Sequence, residues 1–283
     1  MPAFTNMATL TYNGNTVNSN VVTGQILEAL TIAKTAVLPE YSVGEDVTYV
    51  VSIVNRGTTA YENLTITDDL GAYTDEGQTR YPMTYTPNSV RYYVNGVLQT
   101  APTVTAGPPL AITGITVPAG GSAMVIYEAS PNAYAPGAVG STIVNTATVT
   151  GGGLSAPLTA QETVTVAQEA DPVITKALDP MVVPENGQLT YTFTIRNYGN
   201  TPLVATDDVI LTDVFDPVLE NISVTYDGNP WVQGVNYNYN QATGVFTTLP
   251  GQIVVPAATY TQNPDGTWAV TPGMVTITVT GTV

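Results

Sequence analysis

The chain has 283 residues, with 6 Lys plus Arg against 22 Asp plus Glu, a formal net charge of −16, and neither histidine nor cysteine. The acidity argues against nucleic-acid partners and anionic membrane surfaces. The two missing residue types exclude histidine acid–base catalysis, thiol nucleophiles, disulfides and His- or Cys-ligated metals, and no cofactor is expected. At 43% hydrophobic the chain can build packed cores, its length allows two domains, and it has no apolar run of about 18 residues that would span a membrane.

In chain order, residues 1–6 have neither the basic stretch nor the apolar run of a secretory signal. Either a leader has been removed or the protein leaves its cell by another route, such as lysis in sporulation. Residues 4–11 read as a strand, followed by an Asn13-Gly14 turn and a strand through Val21, Val22 and Ile26. Residues 25–33 are the only helix-like stretch, short and β-branched. Beyond them, runs such as 47–54 and 275–279 alternate with period two and are β-branched or aromatic. Turn signals at Arg56-Gly57, Asn95-Gly96 and Asp227-Gly228 punctuate them. The expectation is an all-β chain of two tandem immunoglobulin-like β-sandwiches plus an N-terminal donor β-hairpin.

An internal repeat divides the chain. Ile32-Ala33-Lys34 matches Ile174-Thr175-Lys176, Val47-Thr48-Tyr49 matches Leu189-Thr190-Tyr191, and Ile53-Val54-Asn55-Arg56-Gly57 matches Ile195-Arg196-Asn197-Tyr198-Gly199, with a period of 142 residues. Leu64-Thr65-Ile66-Thr67-Asp68 matches Val209-Ile210-Leu211-Thr212-Asp213 after a short insertion, and residues 123–127 match the region 274–279. The first copy continues through Ile143-Val144-Asn145-Thr146-Ala147-Thr148-Val149-Thr150, a triple-glycine turn and a last strand, whereas the second ends without that hairpin. Residues 4–11 match 144–150, so the expected parts are a donor hairpin (1–28), a complete sandwich (29–168) and a sandwich lacking its last hairpin (169–283). Ile26 lies only eight residues before Lys34, a reach of at most about 28 Å, which disfavours folding back onto the second copy. Donation to another subunit is heterologous and propagates head-to-tail.

The chain has two lysines, Lys34 and Lys176, and they are repeat equivalents. Since i and i+2 share a strand face, Lys34 points with Ile32 and Ala36, and Lys176 with Ile174 and Leu178. Asp68, Asp213, Asn145 and Asn6 likewise fall on apolar faces, with Asp69 beside Asp68 facing the other way. Desolvation disfavours both charges and favours a neutral amine beside a protonated acid. Such an amine can attack an asparagine carbonyl, expelling ammonia and leaving an isopeptide bond.

The order I-x-K-x, V-T-Y followed by N-x-G, T-D-x-[LF] and N-x-A-T-V resembles the bacterial surface conserved-repeat family and the isopeptide-forming fimbrial domains of pilins and adhesins. That resemblance implies a bond between Lys34 and Asn145, assisted by Asp68. It also implies an intermolecular bond from Lys176, assisted by Asp213, to Asn6 of the next subunit. The function so expected is a self-assembling extracellular or spore-surface filament subunit, a homopolymer with room for an anchor or tip protein, and not a conventional enzyme. The alternative is a soluble cell-surface adhesin or carbohydrate-binding module, with Trp231 and Trp268 as its aromatic platform. A buried salt bridge without chemistry is the plainer reading of each lysine. Asp207, Asp208, Asp213 and Asp216 read as loop charge rather than a calcium site, and Asn63 and Asn221 as weak glycosylation sequons.

Overall fold

Alternating apolar residues bounded by Gly, Asn and Pro give strands almost throughout the computed structural model, which describes residues 3–25 and 29–283. Ile26, the expected end of the second hairpin strand, lies outside the described residues. The one helical element among them is a 3-10 turn, Ala205–Asp207. The chain is all-β and divides into two compact units. One holds the chain up to Pro39 with Gly44–Pro131 and Ile143–Val164, and the other holds Glu40–Val43, Asn132–Thr142 and Thr165–Val283.

The first unit is a sandwich of two sheets. One runs Val97–Leu98, Arg91–Val94, Ser122–Pro131, Val47–Asn55, Leu30–Ala36, and the other Thr103–Thr105, Leu110–Val117, Tyr61–Asp68, Thr142–Gly151, Leu158–Val166. The inward residues of the two faces, among them Tyr49, Val51, Ile53, Leu64, Ile66, Ile112, Val125, Tyr127, Ala147 and Val149, are fully buried between them. In this register Ala147 stands opposite Asp68 and Val149 opposite Ile66.

The second unit repeats the first sheet as Pro172–Asp179, Gln188–Asn197, Gly273–Thr282, Glu220–Tyr226, Asn229–Trp231. Facing it, among the described residues, are three strands, Thr212–Val214, Val245–Thr248 and Tyr237–Asn240, with Thr212–Val214 at the edge. Phe193, Phe215, Phe246, Leu219, Ile253 and Ile277 anchor its core. Among the described residues no strand pairs with the outer side of Thr212–Val214, where the first unit has Thr142–Gly151 beside Tyr61–Asp68.

The repeated N-x-G has a structural role in both units. Asn55 Oδ1 accepts the Gly57 N–H at 2.9 Å while its Nδ2 donates to the carbonyls of Thr59 and Pro118. Asn197 does the same with Gly199, Thr201 and Pro256. Each side-chain turn satisfies backbone groups that the end of a buried strand would otherwise strand without partners.

Ala3–Asn6 pairs with Val22–Gln25, and Thr9–Tyr12 with Asn15–Asn18. The Asn13-Gly14 corner has φ of 46° and 75°, the left-handed pair that a two-residue hairpin turn demands. Residues 4–23 are all exposed. The directly opposed pairs Phe4/Gly24, Asn6/Val22 and Leu10/Val17 line one face, on which Phe4, Leu10, Val17 and Val22 are each more than half exposed. The opposite face is largely threonine. A two-stranded hairpin of this kind has little stability of its own in water.

Candidate functional site

Lys34 lies on Leu30–Ala36, whose inward residues Leu30 and Lys34 are buried. Asp68 ends Tyr61–Asp68 in the opposite sheet. Lys34 Nζ and Asp68 Oδ2 meet across the sandwich at 2.5 Å with both side chains wholly excluded from solvent. The Tyr127 hydroxyl donates to the same Asp68 oxygen, and the Leu70 N–H donates to Oδ1 at 3.0 Å. Lys34 Nζ also sits 4.7 Å from the centre of the Tyr49 ring and 5.9 Å from that of Tyr127, two rings that stack on each other. Burial lowers the Lys34 pKa below 10.5, and Asp68, followed by Asp69 and Glu162, pulls it partly back. Burial drives the Tyr49 and Tyr127 hydroxyls upward, so both stay protonated.

Asn145 is fully buried on Thr142–Gly151, two residues before the Ala147 that opposes Asp68. Its amide is near enough to the Tyr49 and Tyr127 hydroxyls to offset part of their upward shift. Yet neither its Nδ2 nor its Oδ1 makes a hydrogen bond of sound geometry to a protein group. Leaving such an amide without a partner costs about 1–3 kcal/mol. The site thus gathers an amine biased toward its neutral form, a carboxyl group and a primary amide in one dry space. Those are the parts of an amine-for-ammonia exchange.

Tyr127 is the member of this site that sequence reasoning missed. In the structure it stands opposite Tyr49 in the pairing of Ser122–Pro131 with Val47–Asn55. Asp69, by contrast, faces away as expected. Its Oδ1 accepts the N–H groups of Thr146 and Gly71, and its own N–H donates to the Thr146 carbonyl at 3.0 Å, holding the Asn145 strand in place.

The second lysine has the same partner but a different setting. Lys176 Nζ pairs with Asp213, and the rings of Tyr191, Phe193 and Phe215 lie 4.3, 5.5 and 5.5 Å from it. Its side chain is 40% exposed and that of Asp213 20%, against 0% for both partners in the first unit. Ile174, on the same strand face, is 50% exposed. Val279 opposes Tyr191 where Tyr127 opposes Tyr49, so Asp213 has no tyrosine donor at that position. Asn6 lies exposed on the hairpin, opposite Val22.

Asp207, Asn63, Asn221 and Trp231 have local explanations. Asp207 accepts the Val204 N–H at 2.7 Å to close the 3-10 turn. Asn63 and Asn221 have φ of 55° and 51°, a left-handed conformation that asparagine tolerates better than most residues. Trp231 stacks on Tyr226 with 5.0 Å between ring centres and 4° between planes, committing one ring face to packing.

No protein-family model matches the chain, and no curated protein matches it. Among solved structures it aligns with a 35 kDa C-terminal fragment of a major pilin of Streptococcus agalactiae (14% identity, 86% of this chain and 91% of that one, TM-score 0.35). It also aligns with the major pilin subunit BcpA of Bacillus cereus (14%, 95% and 72%, TM-score 0.37). A collagen-binding domain from a Staphylococcus aureus adhesin aligns at 13% identity, over 50% of this chain and 99% of that one, with TM-score 0.31.

Proposed function

We propose that the chain is the structural subunit of an extracellular or spore-surface filament that grows head-to-tail by hairpin donation and is locked by isopeptide bonds. The observation that carries this reading is a pair of complementary gaps. An amphipathic hairpin with every side chain from 4 to 23 exposed has no sandwich to cover, while the second unit has an uncovered edge beside a half-open lysine–aspartate pair. An open edge of this kind invites pairing with another chain.

Within the first unit, the neutral Lys34 amine attacks Cγ of Asn145 while Asp68, carrying the proton taken from the amine, donates to the amide oxygen. Collapse of the tetrahedral adduct breaks the Cγ–Nδ2 bond. The nitrogen leaves as ammonia, taking up a proton through Asp68, and one amide replaces another with no change in oxidation state. At the second unit the same chemistry joins Lys176 to Asn6 of the incoming subunit, with Asp213 as the acid. Asp68 and Asp213 assist a single bond-forming event and do not turn over.

The test is to boil the purified protein in detergent, separate it on a denaturing gel and map cross-linked peptides by mass spectrometry. The expected result is a ladder of multimers containing Lys176–Asn6 and Lys34–Asn145 linkages, each lacking one ammonia. A monomer of unmodified mass, with no particles under the electron microscope, overturns the filament reading and favours a soluble adhesin.

A further inference from the structure

Resting on that reading, we infer the docking register: Ala8 of the incoming hairpin lies opposite Asp213, with Met7 opposite Val214, Thr9 opposite Thr212 and Leu10 opposite Leu211. The occupant of the open edge is a second copy of this chain.

The first argument is hydrogen-bond phase. In an antiparallel sheet, successive residues direct their N–H and C=O groups to alternate sides. Leu211 spends its groups on Thr248, donating to the Thr248 hydroxyl and accepting the Thr248 N–H, each at 2.9 Å, and Phe215 donates to the Gly244 carbonyl at 2.9 Å. Thr212 and Val214 therefore point theirs toward the open edge. On the hairpin, the Ala8 carbonyl accepts the Ser19 N–H at 2.8 Å, which commits Ala8 to its own partner strand. Met7 and Thr9 consequently face the hairpin's free edge. Both edges thus present free groups at the residues the proposed register pairs. The first unit uses the same phase, since the N–H of Asp69, the equivalent of Val214, donates to the carbonyl of Thr146, the equivalent of Met7.

The second argument is side-chain size and polarity. Ala147 opposite Asp68 leaves the carboxylate room to cross the core to Lys34, and in the proposed register Ala8 leaves the same room for Asp213. Leu10 then covers the face on which Leu211 is nearly buried, ending an exposure of 66% for Leu10. Outside, Val214 replaces Asp69 and Met7 replaces Thr146. The polar clamp of Asp69 onto the Thr146 N–H becomes an apolar contact between residues that are 58% and 46% exposed in the free subunit. This swap separates the donated hairpin from the one built into the first unit. A slip of one residue turns the apolar face of the hairpin outward. A slip of two keeps the phase but carries Asn6 about 6.8 Å along the strand from Lys176.

The chain has no cysteine, so introduced pairs report unambiguously. We would co-assemble a Leu10→Cys protein with separate Leu211→Cys, Ile210→Cys and Val209→Cys proteins, oxidise with copper–phenanthroline and identify disulfide-linked peptides. Leu10 and Leu211 form a pair without mutual backbone hydrogen bonds, with Cα atoms about 4.5 Å apart and within disulfide reach. A link to residue 211 and none to 210 or 209 is expected. Because these positions are inward, the outward pair Thr9→Cys with Thr212→Cys, joined by a short bis-maleimide, gives a second reading that leaves the core intact. Filaments that form but link Leu10→Cys to residue 209 or 210, or that give neither the disulfide nor the maleimide link, overturn the register while leaving hairpin donation standing. Wild-type protein that forms no filaments, or forms them without its hairpin, overturns the underlying reading instead.

Discussion

The two lysine sites are one design in two states. Lys34–Asp68 is closed by Thr142–Gly151 and wholly dry, whereas Lys176–Asp213 retains the aromatic surround and the ion pair but stays 40% and 20% exposed. What separates them is one hairpin and the Tyr127 hydroxyl, whose place Val279 takes. The hairpin turns an ion pair into a desolvated pair beside an amide, and desolvation is the force that moves the amine toward its neutral form. The comparison teaches that reactivity here resides in the covering strand as much as in the lysine. On the proposed reading, chemistry at the second site waits for assembly.

Removing the hairpin is the strongest way to break the comparison. Deletion of residues 1–28 leaves the first unit with its own closing strands and is expected to give a soluble protein that forms no filaments. Size-exclusion chromatography and electron microscopy check this, and added wild-type protein should be taken up only at one end of the truncated subunit. An adhesin would instead keep its oligomeric state and ligand binding after the deletion. Asn145→Ala makes the closed site resemble the open one. Losing a bond that closes the loop from residue 34 to 145 costs about 4–5 kcal/mol, a fall in the melting temperature of the first unit of about 10–20 °C. The same substitution has the opposite sign if Lys34 and Asp68 form only an ion pair. It then removes a buried amide without a partner, and stability stays level or rises. Calorimetry on the two proteins, with intact mass to confirm one ammonia fewer lost, separates these outcomes.

Much of this comparison was legible in the sequence, because it rests on short runs that repeat in order. The period, the placing of both lysines and the match of residues 4–11 to 144–150 needed only pattern. The period-two rule put Lys34, Asp68 and Asn145 on inward faces, and all three are buried. The same rule put Lys176 and Ile174 inward, yet they are exposed, because a face is buried only if something covers it. Tyr127 was not legible as a partner of Asp68, 59 residues away, because that contact is made across the sandwich and belongs to neither strand alone. Nor was the task of Asn55, whose acceptor on Pro118 lies 63 residues off. Its N-x-G was visible as a repeat, but a repeat names a position and not the carbonyls that meet there.

The smallest effect sharpens the comparison through pH. In Asn145→Ala the Lys34 amine stays free, with a folded-state pKa that burial holds below the 10.5 of an ordinary lysine. Between that lowered value and 10.5 the unfolded chain carries a proton that the folded chain lacks, so stability rises with pH across the window and is level on either side. In the proposed wild-type linkage, Lys34 is an amide and has no proton to lose. Tyr49 and Tyr127, both raised by burial, lower stability only above about pH 10, so the difference is read below that pH. The gap in unfolding free energy between wild type and Asn145→Ala should therefore narrow as pH is raised toward that limit, as read from urea titrations at a series of pH values. A gap that is constant or widens would mean that the amine at the closed site is no easier to deprotonate than one in water. Burial would then not be what distinguishes it from Lys176.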